Sequence, residues 1–183
     1  RIRHVGEPIA VVVAETRLLA EDASEYVVVD VEPMPAVVDT LGAVQDGAPL
    51  VWDSAPNNVA LTWQGGDSAA AAQAFADAAH VTRLRIINNR VIANPIEPRT
   101  AIASYDASSE AWQLICASQG VQYMLRVLCD HTFNVPRERM LVFTHDVGGA
   151  FGVKEQPYPE DVAILHAARA LGRPVKWQGT RAE

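Results

Sequence analysis

The sequence has 183 residues, 49% of them hydrophobic, with a formal net charge of −7 and a pI near 5.2. This length suffices for one or two small domains with cores of their own, and the acidic balance argues against a nucleic-acid partner held by its phosphates. No apolar run is long enough to span a membrane, so no membrane partner is expected. Cys116 and Cys129 lack the spacing of a disulfide framework or a zinc site, and their apolar surroundings fit buried thiols in a reducing, cytoplasmic compartment.

The first 45 residues predict a strand–helix–strand unit. Residues 9–14 form a continuous apolar run that is typical of a buried strand. Thr16 is a suitable N-cap for the helix that follows, and the β-branched run 27–31 predicts a second strand. Glycines and prolines then interrupt residues 40–66, which indicates a linker.

The middle of the chain predicts a helix followed by three strands. Asp67 is an N-cap in front of an alanine-rich helix that extends to about residue 79. Residues 81–87 predict a strand with alternating arginines. The strand-like runs 100–105 and 111–117 flank a polar turn, and so predict a β-hairpin.

The last third alternates helices and strands. An amphipathic helix is predicted after Gly120, and residues 140–144 predict a strand. Pro159 at the first helical position and Gly172 after the last one mark another helix. Residues 175–177 predict a buried strand. The fold class expected from these elements is α/β (α+β).

A turn with glycines at 148, 149 and 152 carries the strongest chemical signal. Glycine leaves backbone N–H groups accessible to a ligand because no Cβ blocks the approach, and an anion or a metal oxo group would suit such a nest. The spacing matches neither a dinucleotide fingerprint nor a P-loop. The residues alone leave two interpretations open, a cradle for an anion or cofactor and a tight turn that serves packing.

Other polar residues are equally open to two interpretations. The amide of Gln119, between a strand end and a helix start, could donate to a ligand or cap its own helix. Glu97 and Arg99 flank Pro98, and we interpret them as a structural ion pair. His145 and Asp146 are adjacent on a predicted strand, so their side chains point to opposite faces and do not form a catalytic pair.

Several separate segments resemble the xanthine dehydrogenase and aldehyde oxidase family, the molybdenum hydroxylases, and they occur in that family's order. The run G-G-A-F-G-V-K-E at 148–155 resembles the G-G-G-F-G-x-K segment of the family, and N-P-I-E-P-R at 94–99 resembles N-P-M-E-P-R. S-Q-G at 118–120 matches a family S-Q-G segment. The segment from Tyr158 to Trp177 resembles the branch with separate large subunits, such as carbon monoxide dehydrogenases.

The resemblance also implies a domain organisation. V-G-E-P-I-A-V-V-V-A-E-T-R at 5–17 is similar to the closing part of the family's hammerhead α/β domain. We therefore expect the C-terminal part of that domain over residues 1–45 and a linker over 46–65. Residues 66–183 would be the first part of a molybdopterin-binding domain with a mixed sheet and packed helices. The chain would then be a fragment of a large subunit, inactive by itself.

By resemblance, five residues bind the cofactor. Gln119 would hydrogen-bond an oxygen ligand of molybdenum, Gly148 and Gly149 would let the cofactor come close, and Phe151 and Gly152 would lie beside the metal. Phe151 would also wall the substrate pocket.

The resemblance places one more residue in the substrate pocket and none on the metal. Glu155 falls where purine-oxidising members carry a substrate-contacting carboxylate. No residue would ligate molybdenum directly, since the pterin holds it, and no catalytic residue is expected in this sequence because the family's general-base glutamate would lie beyond Glu183. Ala150 replaces the third family glycine, and its methyl group requires a negative φ.

The implied reaction is hydroxylation of an aldehyde or an N-heterocycle with oxygen from water, or oxidation of CO as in the carbon monoxide dehydrogenases. The implied cofactor is molybdopterin with molybdenum, as such or as the cytosine dinucleotide. Electrons would pass to 2Fe-2S clusters and FAD on partner subunits or domains, in a dimer of heterotrimers. Two alternatives remain: a non-catalytic α/β binding module with a structural or anion-binding turn, and a cofactor-free scaffold protein.

Overall fold

The computed structural model describes residues 1–89 and 91–181, which divide into two compact units. One unit contains Arg1–Val28 together with the chain from Val91 onwards, and the other begins at Val29. No helix in these ranges has the length and apolar character needed to cross a bilayer. The domain boundaries expected near residues 45 and 65 stay a prediction.

The N-terminal part of the first unit contains one helix, α1 (Arg17–Ser24), and the predicted cap is confirmed. The Thr16 hydroxyl accepts a hydrogen bond from the Leu19 N–H at 3.2 Å. The strands predicted at 9–14 and 27–31 are wrong, since neither run forms a strand. β-branched residues favour a strand only where a neighbouring strand completes the hydrogen-bond ladder, and no neighbour within the described ranges does so.

The second unit holds two α-helices and a 3₁₀ turn, α2 (Thr40–Ala43), the turn Pro56–Asn58 and α3 (Ser68–Asp77). The cap predicted for α3 is confirmed, because Asp67 Oδ1 accepts the Ala70 N–H at 2.9 Å. The strand predicted at 81–87 is wrong. Leu84 in this run is 80% exposed, so neither pairing nor burial fixes it as a strand.

A four-stranded mixed sheet forms the centre of the first unit. Its strands are β1 (Thr100–Asp106), β2 (Ala111–Cys116), β3 (Met140–Phe143) and β4 (Val175–Gln178). The order is β3-β2-β1-β4, with β1 antiparallel to both β2 and β4, and β2 parallel to β3. The predicted hairpin and the two later strands are confirmed.

Two helical segments cover one face of this sheet. Helix α4 (Val121–Val127) continues into a π-helical turn (Leu128–Phe133) and packs on β3, whereas α5 (Pro159–Leu171) packs on the other three strands. Side chains alternate along the strands, so that Ala103, Leu114 and their neighbours face the helices and are buried. This mixed sheet with packed helices confirms the expected fold class.

The strand directions bring four chain segments to one end of the strands, called here the carboxyl edge of the sheet because β2, β3 and β4 end there. β2 and β3 are parallel, so the residues that follow them, 117–120 and 144–155, leave at the same edge. β1 runs antiparallel to β2, so residues 95–99 enter there as well. The segment after β4 arrives at this edge too, and the Arg181 guanidinium donates to the carbonyl oxygens of Pro95 and Ile96. The carboxyl ends of strands in open α/β sheets are the usual place for ligands.

Candidate functional site

Gln119 lies directly against the glycine turn. Its Oε1 accepts hydrogen bonds from the Gly152 N–H at 3.1 Å and the Lys154 N–H at 3.4 Å, and its backbone N–H donates to the Lys154 carbonyl at 3.0 Å. The alternative that this amide caps its own helix is wrong, because Gly120 is the N-cap of α4 and no side chain caps it.

The contacts of Oε1 fix the orientation of the carboxamide. Only the oxygen of an amide can accept from two N–H groups, so the nitrogen Nε2 occupies the other position. Nε2 makes no hydrogen bond to any residue in the part of the chain that the structure describes. The Gln119 side chain therefore presents two free N–H bonds beside the turn.

The turn itself has unusual backbone conformations. Gly149 and Gly152 have φ of 93° and 88°, values that favour glycine, and Phe151 has φ of 51°. Ala150 does not have a positive φ, in agreement with the negative φ that its methyl group requires. A left-handed phenylalanine is strained by about 1–2 kcal/mol, and this side chain is 78% exposed. Strain of this kind is concentrated at functional sites.

Glu97 holds the beginning of the turn. Its Oε2 accepts the Gly148 N–H at 2.8 Å, and its own N–H donates to the Gly148 carbonyl at 3.4 Å. A Cβ at position 148 would lie 2.6 Å from the Glu97 Cβ, closer than real contacts allow. The missing side chain of Gly148 thus permits the approach of Glu97.

Lys154 ends the turn with its side chain in the interior. Only 2% of this residue is exposed, and its Nζ lies 2.6 Å from Glu97 Oε2. The hydrogen bond from Lys154 lowers the pKa of Glu97 below its ordinary value; burial opposes this shift, and the Gly148 N–H adds to it. The expected Glu97–Arg99 ion pair is wrong, because Arg99 instead binds Glu160 at 3.0 Å.

The remaining sequence-predicted residues take more peripheral positions. Glu155 is exposed and lies beside Gly120, where a Cβ would come within 3.5 Å of the Glu155 Cγ. His145 packs edge-on against the Phe143 ring at 4.7 Å. The structure therefore places Glu155 at the start of α4, beside Gln119.

The role of Ser118, which is buried, is not indicated by the sequence. Its Oγ donates to the Lys154 carbonyl at 3.2 Å and accepts the Gly120 N–H at 3.0 Å, while its own N–H donates to Thr144 Oγ1 at 3.3 Å. A serine hydroxyl that bonds the backbone two residues later is a known turn signal, but the sequence does not show its long-range partner.

Asp161 is a buried carboxyl at the start of α5, where it accepts the Tyr158 N–H at 2.9 Å. Burial raises the pKa of Asp161, while the Tyr158 N–H and the nearby Arg99 oppose that shift. A cavity of about 10 Å³ lies against Asp161, Cys116 and Lys154. A cavity of this size is at the lower limit for holding one water molecule.

The backbone N–H groups of Gly149, Ala150 and Phe151 make no hydrogen bonds to the residues that the structure describes. Together with Gln119 Nε2 they form a set of donors at the carboxyl edge of the sheet. Such a set suits a group rich in oxygen or negative charge. Fold and turn together are those of an α/β domain with a candidate site for an anionic group.

Comparisons with known proteins agree with this assignment. Residues 51–183 match the family model described as the molybdopterin cofactor-binding domain. The whole chain is 34% identical to the nicotine 6-hydroxylase large subunit of Paenarthrobacter nicotinovorans, and 97% of it is 30% identical to the carbon monoxide dehydrogenase large chain of Hydrogenophaga pseudoflava. It spans 22% and 23% of the lengths of these two relatives.

A solved structure of a Cu,Mo-CO dehydrogenase is similar to 90% of the chain, with a TM-score of 0.81 and 30% identity, and the match covers 22% of that dehydrogenase chain. The chain belongs to the molybdopterin cofactor-binding domain family. The sequence resemblance to the molybdenum hydroxylases is thereby confirmed.

Proposed function

We propose that this chain forms one wall of the molybdenum site of an oxidoreductase that hydroxylates an N-heterocycle or an aldehyde. The observation that carries the proposal is the hydrogen bond from the Gly152 N–H to Gln119 Oε1, 3.1 Å long. It joins the two predicted cofactor-binding segments and leaves the Gln119 amide nitrogen free to donate.

The residues at this edge fit molybdopterin. Gln119 Nε2 and the N–H groups of Gly149, Ala150 and Phe151 would hold the oxygen-rich group. These donors are neutral N–H groups. They can therefore stabilise a negative group without forming a salt bridge to it. The carboxylate of Glu97, which contacts the turn, is already bound to Lys154 and Gly148.

The chemistry supplied by bound molybdopterin would be a two-electron oxidation of the substrate at molybdenum, with oxygen taken from water. The protein's part is binding, orientation and electrostatics. Gln119 would orient the group through its amide, and the exposed Phe151 ring would flank the substrate and exclude water from one side. Glu155 is the further candidate for a substrate contact.

The proposal extends to parts that other chains or segments would supply. A general-base glutamate would lie outside this sequence, and the pterin could carry a cytosine nucleotide. The names of two relatives, a large subunit and a large chain, support partner subunits. We propose that these carry 2Fe-2S clusters and FAD in a cytoplasmic dimer of heterotrimers, and that residues 1–183 alone turn over no substrate.

Oxidation of CO is the second candidate. It is favoured by the structural match to a Cu,Mo-CO dehydrogenase with a TM-score of 0.81. Copper in the purified complete protein would support CO oxidation, whereas molybdenum without copper would support hydroxylation.

The test uses the complete protein that contains this sequence. Molybdenum and pterin are measured per polypeptide, and dye reduction is followed with N-heterocycles, aldehydes and CO. Gln119→Ala should lower activity, whereas Gln113→Ala, at an exposed glutamine on β2, should leave it unchanged. A complete protein without molybdenum and pterin would contradict the proposal and favour a non-catalytic module.

A further inference from the structure

We infer that Glu97 and Lys154 are a positioning pair that fixes the Gln119 amide relative to the glycine turn. The consequence at molybdenum rests on the proposed function, but the mechanical link between the two segments does not. Neither residue contributes a free donor to the set formed by Gln119 Nε2 and the turn.

Lys154 connects to Gln119 through its backbone. Its N–H donates to Gln119 Oε1 at 3.4 Å, and its carbonyl accepts the Gln119 N–H at 3.0 Å. The same carbonyl accepts the Ser118 hydroxyl at 3.2 Å. A shift of the Lys154 backbone would therefore move both the main chain and the side chain of Gln119.

Lys154 connects to the other end of the turn through its side chain. Its Nζ binds Glu97 Oε2, and that oxygen also accepts the Gly148 N–H. The chain from 148 to 154 is thus closed into a loop by one carboxylate oxygen. Gly149 to Phe151, whose N–H groups are free, lie within this loop.

Because it is buried, the Lys154 ammonium group depends on Glu97 for its counter-charge. The Lys154 side chain is fully buried and its Nζ has no hydrogen-bond partner other than Glu97 among the described residues, whereas the Glu97 side chain is 37% exposed. A buried ammonium that loses its anion must move toward water or lose its proton, because solvent cannot reach it in place. Movement toward water displaces the Lys154 backbone, and with it the Gln119 amide, and loss of the proton weakens the bond that closes the loop.

The pair is also distinct from an ion pair that only supports the fold. Arg99 and Glu160 lie in the same unit at 3.0 Å and are partly buried. Within the described residues, neither side chain hydrogen-bonds the backbone of the glycine turn or of Gln119. Glu160→Gln is therefore a matched control for the loss of a carboxylate–cation pair.

The experiment uses the complete protein with Lys154→Met, Glu97→Gln, the double variant and the Glu160→Gln control. Hydrogen exchange by mass spectrometry is followed in peptides that cover residues 116–121 and 147–155. Exchange in the 101–106 strand reports global stability. The spectrum of partially reduced molybdenum, recorded by electron paramagnetic resonance, reports the environment of the metal.

We expect Lys154→Met and Glu97→Gln to accelerate exchange about tenfold in both peptides relative to the 101–106 strand. The control should leave that ratio unchanged. The molybdenum spectrum should change in shape in both single variants, and kcat should fall more than KM rises. The double variant should resemble the single ones, because one connection is broken in all three.

Two results would overturn the inference. One is faster exchange at 147–155 without any change at 116–121, since the pair would then hold the turn alone. The other is an unchanged molybdenum spectrum in both single variants. If Lys154→Met does not fold, the isosteric Glu97→Gln decides. Absence of molybdenum from the wild-type protein would refute the proposed function, while the exchange results would still decide the mechanical link.

Discussion

Gln119 Oε1 lies 3.1 Å from the backbone nitrogen of Gly152, a contact between residues 33 positions apart in the chain. The parallel pairing of β2 and β3 makes it possible, because the segments after both strands leave the sheet at the same edge. The contact uses the acceptor of the amide and preserves its donor. The fold thereby presents a neutral hydrogen-bond donor at the place where a cofactor is proposed to bind.

Gln119→Glu tests the importance of that donor. The carboxylate would still accept from the Gly152 N–H, but the free N–H₂ would be replaced by an oxygen with negative charge. We expect kcat of the complete enzyme to fall about 100-fold or more, the usual result of losing one well-placed donor, with little change in the melting temperature. Gln113→Glu on the exposed face of β2 is the control, and equal losses in both variants would contradict the assignment.

The sequence predicts several of the elements well because their signals are local. Residues near in sequence determine three of these elements: the cap at Asp67, the hairpin of β1 and β2, and α5, which ends before Gly172. The runs at 9–14, 27–31 and 81–87 have strand propensity, but no strand forms without a partner, and propensity carries no information about one.

For the candidate site, the sequence supplied Gln119 and the glycine turn, chiefly through resemblance. It did not reveal the bond between Lys154 and Glu97, which joins residues 57 apart. A lysine after a glycine-rich turn is normally exposed, so nothing local predicts its burial. Long-range polar contacts of this kind depend on how the segments pack, and only the structure shows them.

Gly148→Ala tests the close approach of Glu97. The added Cβ would lie 2.6 Å from the Glu97 Cβ, so either the turn or the 95–99 segment must shift. We expect the free energy of unfolding to fall by about 1–3 kcal/mol, together with a lower molybdenum content per polypeptide. Gly66→Ala is the control for molybdenum content, since its positive φ makes the substitution strain the backbone while the open space around it avoids a steric clash; it should lower stability without lowering the molybdenum content. A fully loaded, unchanged Gly148→Ala protein would show that the contact is dispensable.

Phe151→Gly separates backbone strain from the function of the ring. Glycine relieves the left-handed conformation, but it also gains entropy in the unfolded chain. We therefore expect the free energy of unfolding to change by less than about 1 kcal/mol. The KM for substrate should rise, because the exposed ring is proposed to flank the pocket.

Glu110→Gly provides the comparison for Phe151. Glu110 also has positive φ, 52°, and lies in the hairpin turn between β1 and β2. It should show a similar effect on stability, measured by denaturant unfolding, without any effect on KM. An unchanged KM in Phe151→Gly would remove Phe151 from the substrate pocket.

The carboxyl groups of Glu97 and Asp161 are expected to make the free energy of unfolding change with pH in opposite directions. The pKa of Glu97 is lowered from 4.5 by Lys154, so the folded state binds fewer protons than the unfolded state below that value. The stabilisation is then complete above pH 4.5 and is lost as pH falls through the folded pKa. Glu97→Gln removes this dependence, and its deficit relative to wild type should shrink as the pH falls below 4.5.

Asp161 should behave in the reverse sense. Burial raises its pKa from 3.8, so the folded state holds the proton more tightly, and stability decreases as pH rises from 3.8 through the folded pKa. Asp161→Asn keeps an acceptor for the Tyr158 N–H but cannot ionise, so wild type should lose stability relative to this variant over that window. Urea unfolding of both variants from pH 3 to 7 measures the two slopes. Slopes of the same sign would contradict the buried state of Asp161, because desolvation is the largest influence against its ionisation; Glu160 adds to it, whereas the Tyr158 N–H and Arg99 oppose it.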